Sequence, residues 1–230
     1  MNFDFRDDND LFAQMKEHLY SAVLGDILDK MGLCRQFLPA RVRPLAEDMV
    51  LAGRAMPVLE ADVTGEFSHG HNGLLQKPFG LMLEALDDLK ENEVYICSGS
   101  SPDYALVGEL MCTRMKMLGA AGAVVNGFHR DTKGILELDF PCFSYGSYAQ
   151  DQAPRGRVLD YRVAIDIDGV RVEPGDIVFG DRDGVLVIPK KAEKEVIRQA
   201  AEKAMGENQV AKAIRGGMSV CEAFAKYGVM

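Results

Sequence analysis

No segment of this sequence approaches the roughly 20 consecutive apolar residues that a membrane-spanning helix needs. The first ten residues, MNFDFRDDND, are acidic and lack the basic and apolar regions of a secretory signal peptide. We therefore predict a cytoplasmic protein that has no membrane partner.

Basic charge is also scarce. Lys and Arg number 26 against 35 Asp and Glu, which gives a formal net charge of -9 and a pI of about 5.0. This charge would repel a phosphate backbone unless a local basic patch opposed it, and the basic residues form only scattered pairs. We therefore do not expect nucleic acid as a partner.

The cysteines and histidines lack the spacing of disulfide frameworks or zinc sites. Five cysteines stand far apart and none belongs to a CxxC motif, which favours reduced thiols packed as small apolar side chains. His69, His71 and His129 show neither HxxxH nor HExxH spacing. We expect His69 and His71 to be structural or to contact a substrate, and His129 to point into the interior.

The sequence does contain enough apolar residues, 47%, to bury a large core. Apolar residues recur every four positions and predict an amphipathic helix over 10–31, broken near Ser21 and ended by Gly32. Helix and apolar strand then alternate over 80–127 like a βαβ unit, and short strands separated by turns follow. We predict one α/β domain over 1–230, with an N-terminal helical arm at about 8–32 and C-terminal helices at about 190–230.

Two segments of this domain could meet in a binding site. Backbone N–H groups at a helix N-terminus bind carboxylates or phosphates. A helix predicted over 109–118 is preceded by Ala105, Leu106, Val107 and Gly108. Arg130 and Asp131 follow the apolar strand GAVV, and α/β proteins place ligands at such strand ends. Each segment also has a purely structural interpretation. Residues 105–108 could be an ordinary connection, and Arg130 and Asp131 could form a surface ion pair.

If the two strands are parallel neighbours, these segments meet at one sheet edge. A helix N-terminus, a guanidinium and a carboxylate that holds a hard cation would together suit a small oxoacid. The turn at Asp181, Asp183 and Gly184 is expected to be structural. Met111, Met115 and Met117 are expected to pack in the core.

Glu109 precedes the Arg130-Asp131 pair by twenty intervening residues. The segment GELMCTRMKMLGAAGAVVNGFHRD carries this spacing, and the blocks AVLGDILDKMG, LAGRAMPV, FPCFSYG and VEPGDIVFGDRDGVLVIP lie around it. In these blocks, over nearly the whole chain, the sequence resembles the RraA-like family. That family includes the class II 4-hydroxy-4-methyl-2-oxoglutarate and 4-carboxy-4-hydroxy-2-oxoadipate aldolases.

This resemblance implies a three-layer β/β/α swivelling-domain sandwich of the phosphohistidine-domain type, assembled as a trimer or a dimer of trimers. It implies that Asp131 holds Mg²⁺ or Mn²⁺, that Arg130 binds the oxygens of a 2-oxoacid, and that Glu109 orders a catalytic water. The backbone amides of 105–108 would take the pyruvate carboxylate. The helical arms over 10–31 and 219–230 are expected at subunit interfaces.

The implied reaction is retro-aldol cleavage of a 4-hydroxy-4-substituted 2-oxo-dicarboxylate to pyruvate and a second oxoacid, with oxaloacetate decarboxylation as a side activity. Both reactions develop an enolate, whose charge a divalent cation and a guanidinium stabilise. The alternative is a non-catalytic regulator that binds an RNA-processing enzyme, since the family's namesake inhibits a ribonuclease by protein contact. An acidic surface would suit an Arg-rich partner.

Two positions depart from the family pattern. Where this chain has Gly134, many members have an acidic residue that supports the water ligands of the metal. In this chain that support is missing or comes from another residue, for which Glu137 is a candidate. Glu109 stands where the well-studied aldolases have Asp, so its carboxylate lies one methylene further from the backbone.

Overall fold

One mixed sheet that curls until its edges approach each other forms the centre of the molecule. The computed structural model describes residues 5–63 and 71–228. Its helices are α1 (Asp8–His18), α2 (Ser21–Lys30), α3 (Met82–Asp88), α4 (Glu109–Met117), α5 (Thr132–Glu137), α6 (Glu193–Arg215) and α7 (Val220–Tyr227). Its strands are β1 (Arg43–Pro44), β2 (Leu51–Asp62), β3 (Glu93–Ser98), β4 (Ala105–Val107), β5 (Gly122–Val125), β6 (Phe128–His129), β7 (Cys142–Ser144), β8 (Gly156–Tyr161), β9 (Ile165–Ile167), β10 (Val170–Val172), β11 (Ile177–Asp181) and β12 (Gly184–Ile188). No helix in the described ranges has the length and hydropathy needed to cross a bilayer.

The strand order shows how nearly the sheet closes. The order is β1-β7-β5-β3-β2-β11-β12, and β8 pairs with the second half of β2. Arg43 on the edge strand β1 donates from Nη1 to the carbonyl oxygens of Arg182 (3.2 Å) and Asp183 (2.5 Å), in the turn between β11 and β12. Just before β1, the Leu38 N–H donates to Val185 O of β12 at 2.9 Å. The sheet is therefore a nearly closed barrel.

Three apolar clusters pack this sheet from inside and outside. Side chains of facing strands, among them Ile96, Val124, Phe143 and Val187, fill the interior. Outside, α1, α2 and α6 cover one face, and α3 and α4 cover another. This layered α/β architecture, with helices at both ends of the chain, confirms the predicted fold class.

The first two helices confirm the break predicted within 10–31. α1 begins after Asp7, whose carboxylate accepts the Asp10 N–H at 2.9 Å. A second helix starts at Ser21. It ends before Gly32, which has a φ of 78° and so provides the left-handed residue that commonly closes a helix.

Both terminal regions contribute to the core of the chain itself. The apolar stripe of α1 and α2 is buried against β11, β12 and α6. Arg54 of β2 pairs with Asp8 at the start of α1 (2.7 Å) and with Glu193 at the start of α6. The apolar stripe is therefore buried within the chain itself, and the location of the arms at subunit interfaces stays a prediction. In α7, by contrast, Val220 and Phe224 stay 50% and 55% exposed.

The long strand β2 changes its antiparallel partner, which accounts for a proline inside it. Residues 51–54 pair with β11 and residues 58–62 pair with β8. Pro57 lies between these two stretches, so its missing N–H costs no antiparallel ladder bond.

The remaining topology follows the sequence patterns. β3 and β5 are parallel and α4 connects them, as predicted for the βαβ unit. β9 and β10 form a hairpin at an Asp-Gly turn. The turn between β11 and β12 is structural, as predicted, because the Asp181 carboxylate accepts both the N–H and the hydroxyl of Ser21 at 2.7 Å.

Candidate functional site

A small two-stranded sheet brings the two predicted segments together. β4 and β6 pair in parallel, with Ala105 opposite Phe128 and Val107 opposite His129. The Arg130 N–H donates to Val107 O at 2.9 Å. The predicted meeting of the two segments is confirmed, although β4 and β6 form a sheet of their own rather than an edge of the main one.

Asp131 is held in the left-handed backbone region at the N-cap of α5, with φ 58° and ψ 38°. Few residues other than glycine adopt this conformation, and aspartate tolerates it better than most. The Asp131 carboxylate faces the start of α4, where Oδ2 accepts the Glu109 N–H at 3.2 Å. Backbone strain of this kind is concentrated at functional sites.

Gly108 makes this approach possible through its lack of a side chain. A Cβ built on Gly108 would lie 2.6 Å from Asp131 Oδ2 and 3.3 Å from Arg130 Cγ. Any side chain at this position would therefore displace the Asp131 carboxylate. The glycine is required for space, since its φ of -143° is accessible to any residue.

Arg130 lies between two carboxylates. Its Nη1 is 3.1 Å from Asp151 Oδ1 and its Nε is 3.8 Å from Asp131 Oδ2. The Arg130 side chain is 38% exposed. Because a guanidinium has five N–H donors, donors remain for a ligand in the cleft.

Asp151 is a site residue that the sequence did not predict. It belongs to a segment after β7 that runs beside the small sheet, where the Tyr148 N–H donates to His129 O at 2.8 Å and the Ala105 N–H donates to Gln150 O at 2.9 Å. No local motif marks Asp151, because its position depends on this long-range pairing.

The same pairing corrects one part of the predicted anion site. The Ala105 N–H is already bonded to Gln150 O, so it is not free to bind a carboxylate. The amides of Leu106, Val107 and Gly108 keep that role as a prediction. The N-terminus of α4 lies beside them, and the first N–H groups of a helix have no acceptor within the helix.

The Glu109 carboxylate occupies the space beside Gly134. A Cβ built on Gly134 would lie 2.1 Å from Glu109 Oε2 and 2.2 Å from its Cδ. Glu109 thus fills the place where a side chain at position 134 would begin. The candidate support from Glu137 is wrong, because Glu137 is 67% exposed and its Oε1 lies 3.7 Å from Lys133 Nζ, away from the cleft.

The histidines that the structure describes contribute little to this site. His129 is buried, and its Nδ1 and Nε2 lie 2.7 Å from Ser144 Oγ and 3.1 Å from Thr132 Oγ1. Its predicted packing role is confirmed, and burial lowers its pKa. His71 is exposed and does not line the cleft. His69 lies outside the described residues.

A cavity of about 450 Å³ opens beside Arg130 and Asp131. Charged side chains on its wall are Asp87, Arg114, Arg130, Asp131 and Asp151. Large apolar side chains on its wall are Phe79, Met82, Leu83, Leu86, Leu110 and Met111. The cleft therefore combines the predicted polar residues with an extensive apolar surface.

The methionines of α4 differ in position. Met115 is fully buried, as predicted. Met111 is only partly buried and lines the cavity. Met117 is 76% exposed, so the prediction of core packing is wrong for this residue.

A buried acid lies behind the cavity wall. Gln152 lines the cavity and donates from Nε2 to Glu60 Oε2 at 2.8 Å. Glu60 is 1% exposed, and its Oε1 has no hydrogen-bond partner in the described part of the chain. Burial is the main reason why the pKa of Glu60 is raised to about 8. A smaller effect of Cys97 lowers this pKa, and the negative charge of Asp62 raises it. Sequence reasoning missed this acid, although it shares a strand face with the core residue Met56.

Asp131 and Glu109 offer carboxylate oxygens to a hard cation. Across residues 5–63 and 71–228, no group of three or more His, Cys, Asp or Glu is arranged to hold a metal ion. Mg²⁺ is usually held by one or two carboxylates and keeps several waters, and Mn²⁺ accepts the same oxygen ligands. The Asp131 side chain is 45% exposed, which leaves room for such waters. The donor set fits a water-rich Mg²⁺ or Mn²⁺ site.

Relatives match the chain along most of its length. The profile of the RraA-like family, described as Aldolase/RraA, matches residues 21–187. A protein from Halalkalibacterium halodurans named "Putative 4-hydroxy-4-methyl-2-oxoglutarate aldolase" is 34% identical over 202 residues, or 87% of each chain. "Protein DlpA" of Legionella pneumophila is 27% identical over 209 residues, 90% of this chain, and this chain spans 32% of the length of that protein.

The fold has relatives of the same kind. The crystal structure of Streptomyces coelicolor RraAS2, described as an unusual member of the RNase ES inhibitor RraA protein family, has a TM-score of 0.73 over 92% of this chain and 98% of that one. At 22% identity this likeness concerns the fold alone. The family profile, by contrast, matches this sequence itself, from α2 through the cleft residues to β12. By that match the chain belongs to the RraA-like family.

Proposed function

We propose that this protein is a pyruvate-forming lyase that breaks the C3–C4 bond of a 4-hydroxy-2-oxoacid. The observation that carries the proposal is the convergence of Arg130, Asp131 and the N-terminus of α4 beside one cavity. The carboxylate of Asp131 lies between the Arg130 guanidinium and the first amide of α4, that of Glu109. The name of the Halalkalibacterium halodurans relative supports the same reaction class.

The proposed chemistry assigns a task to each group. A base removes the proton of the C4 hydroxyl, the C4–O bond becomes a carbonyl, and the electron pair of the C3–C4 bond moves into the enolate of pyruvate. Protonation at C3 then yields pyruvate. Glu109 would act as the base through a water, and Arg130 would stabilise the enolate oxygen.

The oxoacid end would be held by two further features. Amides at 106–108, next to the N-terminus of α4, would bind the carboxylate. Asp131, supported by Glu109, would hold Mg²⁺ or Mn²⁺, which when bound supplies Lewis-acid stabilisation of the oxoacid oxygens. Oxaloacetate decarboxylation is the proposed side activity, because loss of CO₂ leaves the same enolate.

Pyruvate release from oxaloacetate tests this proposal. EDTA-treated protein is assayed before and after addition of Mg²⁺ or Mn²⁺, with the variants Asp131→Asn and Asp48→Asn. Asparagine tolerates the left-handed conformation of residue 131, so the first variant keeps the backbone. Asp48 is an exposed control that does not line the cleft.

We expect metal-dependent release well above that with the metal alone, lost in Asp131→Asn and kept in Asp48→Asn. Release by wild-type protein that does not exceed the rate with either metal alone would contradict the proposal. The alternative, a non-catalytic protein that binds an RNA-processing enzyme, would then be preferred.

A homo-oligomer, either a trimer or a dimer of trimers, is the second part of the proposal. The half-exposed Val220 and Phe224 of α7 support it, since they form an apolar surface that another copy could cover. Light scattering should give a mass of three or six chains of 25.3 kDa. A monomer would contradict this part alone.

A further inference from the structure

The cleft has more apolar wall than a pyruvate unit needs. Its volume of about 450 Å³ falls in the range of pockets that enclose much larger ligands, roughly 300–1,000 Å³. Pyruvate supplies only three carbons and three oxygens. The wall that faces the remaining space consists of Phe79, Met82, Leu83, Leu86, Leu110 and Met111.

The charges on the wall are already paired. Arg114 Nε lies 2.8 Å from Asp87 Oδ1, and Arg130 Nη1 lies 3.1 Å from Asp151 Oδ1. Among the described residues that line the cleft, these two arginines face three carboxylates, the third being that of Asp131.

This pairing decides what the cleft can accept beyond the oxoacid end. Arg130 retains donors for the oxoacid itself. Arg114, like Arg130, keeps N–H donors beyond its ion pair, but a second substrate carboxylate would have to share that guanidinium with Asp87 and would lie near acids of like charge. It would also lose its hydration against the apolar wall, which is unfavourable without a partner.

We infer that the substrate carries an alkyl or aryl group at C4, in place of the second carboxylate that the family resemblance implied. The inference rests on the proposed function, because Arg130 and Asp131 must bind the oxoacid end for the C4 group to reach the wall. The products are then pyruvate and an apolar aldehyde or ketone.

The test compares two substrates of nearly the same shape. One is a 4-hydroxy-2-oxoacid with an isopropyl group at C4, and the other has a carboxylate there. Wild-type kcat/KM should be at least about tenfold higher for the isopropyl compound, since a hydrophobic pocket discriminates by about this factor per small group. Equal or faster cleavage of the carboxylate compound would overturn the inference.

A cation introduced into the wall should change this preference. Leu83 is 56% exposed, so Leu83→Lys can be accommodated without unfolding. It should lower the ratio of kcat/KM for isopropyl over carboxylate by about tenfold. The matched control is Leu136→Lys, at a 44% exposed leucine outside the cleft, which should leave the ratio unchanged. An unchanged ratio in Leu83→Lys would overturn the inference.

Oxaloacetate separates this inference from the proposed function. If wild-type protein decarboxylates oxaloacetate but prefers the carboxylate-bearing aldol, the proposed lyase activity stands and the inference of an apolar C4 group is overturned. Wild-type protein that releases pyruvate from neither aldol nor from oxaloacetate would overturn the lyase itself, and the inference with it.

Discussion

Glu109 and Gly134 are two departures from the family pattern that the structure joins into one arrangement. The longer side chain of Glu109 reaches the space that opens because residue 134 has no Cβ. From the sequence these positions are two separate defects of a metal site. In the folded chain an acidic group still lies beside the first turn of α5, at whose start Asp131 stands.

This arrangement predicts the effect of Gly134→Ala. The added methyl would displace the Glu109 carboxylate, whereas the helix α5 would tolerate or favour alanine. We expect pyruvate release to fall roughly 100-fold, the scale for a misplaced catalytic group, with the melting temperature retained.

The control for this prediction is Gly216→Ala. A Cβ at Gly216 meets its nearest atoms at 3.3 and 3.5 Å, and the residue lies at the end of α6. Gly216→Ala should keep full activity. Wild-type activity in Gly134→Ala would show that the position of Glu109 does not matter for the reaction.

The sequence allowed prediction of the site residues that lie within or just after the βαβ unit. Hydrophobic periodicity predicts the strand that Arg130 and Asp131 follow and the helix that Glu109 begins. The resemblance to the family assigns a role to each of the three. Asp151 and Gln152 escaped prediction because a segment distant from those elements carries them, and only backbone pairing in the folded chain brings it to the cleft.

At the scale of elements, the site depends on strands too short to recognise in a sequence. β4 spans three residues and β6 two. Alternation needs at least about four residues to be recognised, so periodicity cannot reveal these strands. Longer elements, such as β3, α4 and β5, were predicted because their apolar periodicity extends over whole segments.

Strand β2 carries a second prediction, through the buried Glu60. In the unfolded chain this carboxyl ionises near 4.5, whereas burial raises its pKa in the folded protein to about 8. Between these values the folded state binds more protons, so the free energy of unfolding falls as the pH rises from about 5 to about 8. At about 1.4 kcal/mol per unit, this loss is roughly 4 kcal/mol at most.

Glu60→Gln should remove this pH dependence. Glutamine keeps an acceptor for the Gln152 amide but cannot ionise. Urea denaturation should show that the stability advantage of the variant over wild type is larger at pH 8 than at pH 5. The exposed Glu91 supplies the control, since Glu91→Gln should leave the wild-type slope of unfolding free energy against pH unchanged. A Glu60→Gln variant with the wild-type slope would show that Glu60 is ionised in the folded protein.

In the whole molecule, one sheet packs against its covering helices in three apolar clusters, and one of these clusters joins α1 and α2 to α6. Patterning predicted the α/β class and the terminal helices. It did not predict that α1 and α2 would be buried within the same chain, because the partner surface on β11, β12 and α6 comes from the other end of the sequence. The closure of the sheet, through Arg43 and the turn at Arg182, is non-local in the same way.

The central claim, that this fold stabilises the enolate of pyruvate at Arg130 and Asp131, has a direct measurement. Pyruvate in D₂O exchanges its C3 hydrogens through the enolate, and NMR follows the exchange without any need for the natural substrate. With protein and Mg²⁺ we predict exchange well above that with Mg²⁺ alone. It should fall by roughly 100-fold in Arg130→Ala and stay unchanged in Arg35→Ala, an exposed arginine outside the cleft. Exchange no faster than with Mg²⁺ alone would show that Arg130 and Asp131 do not stabilise the enolate.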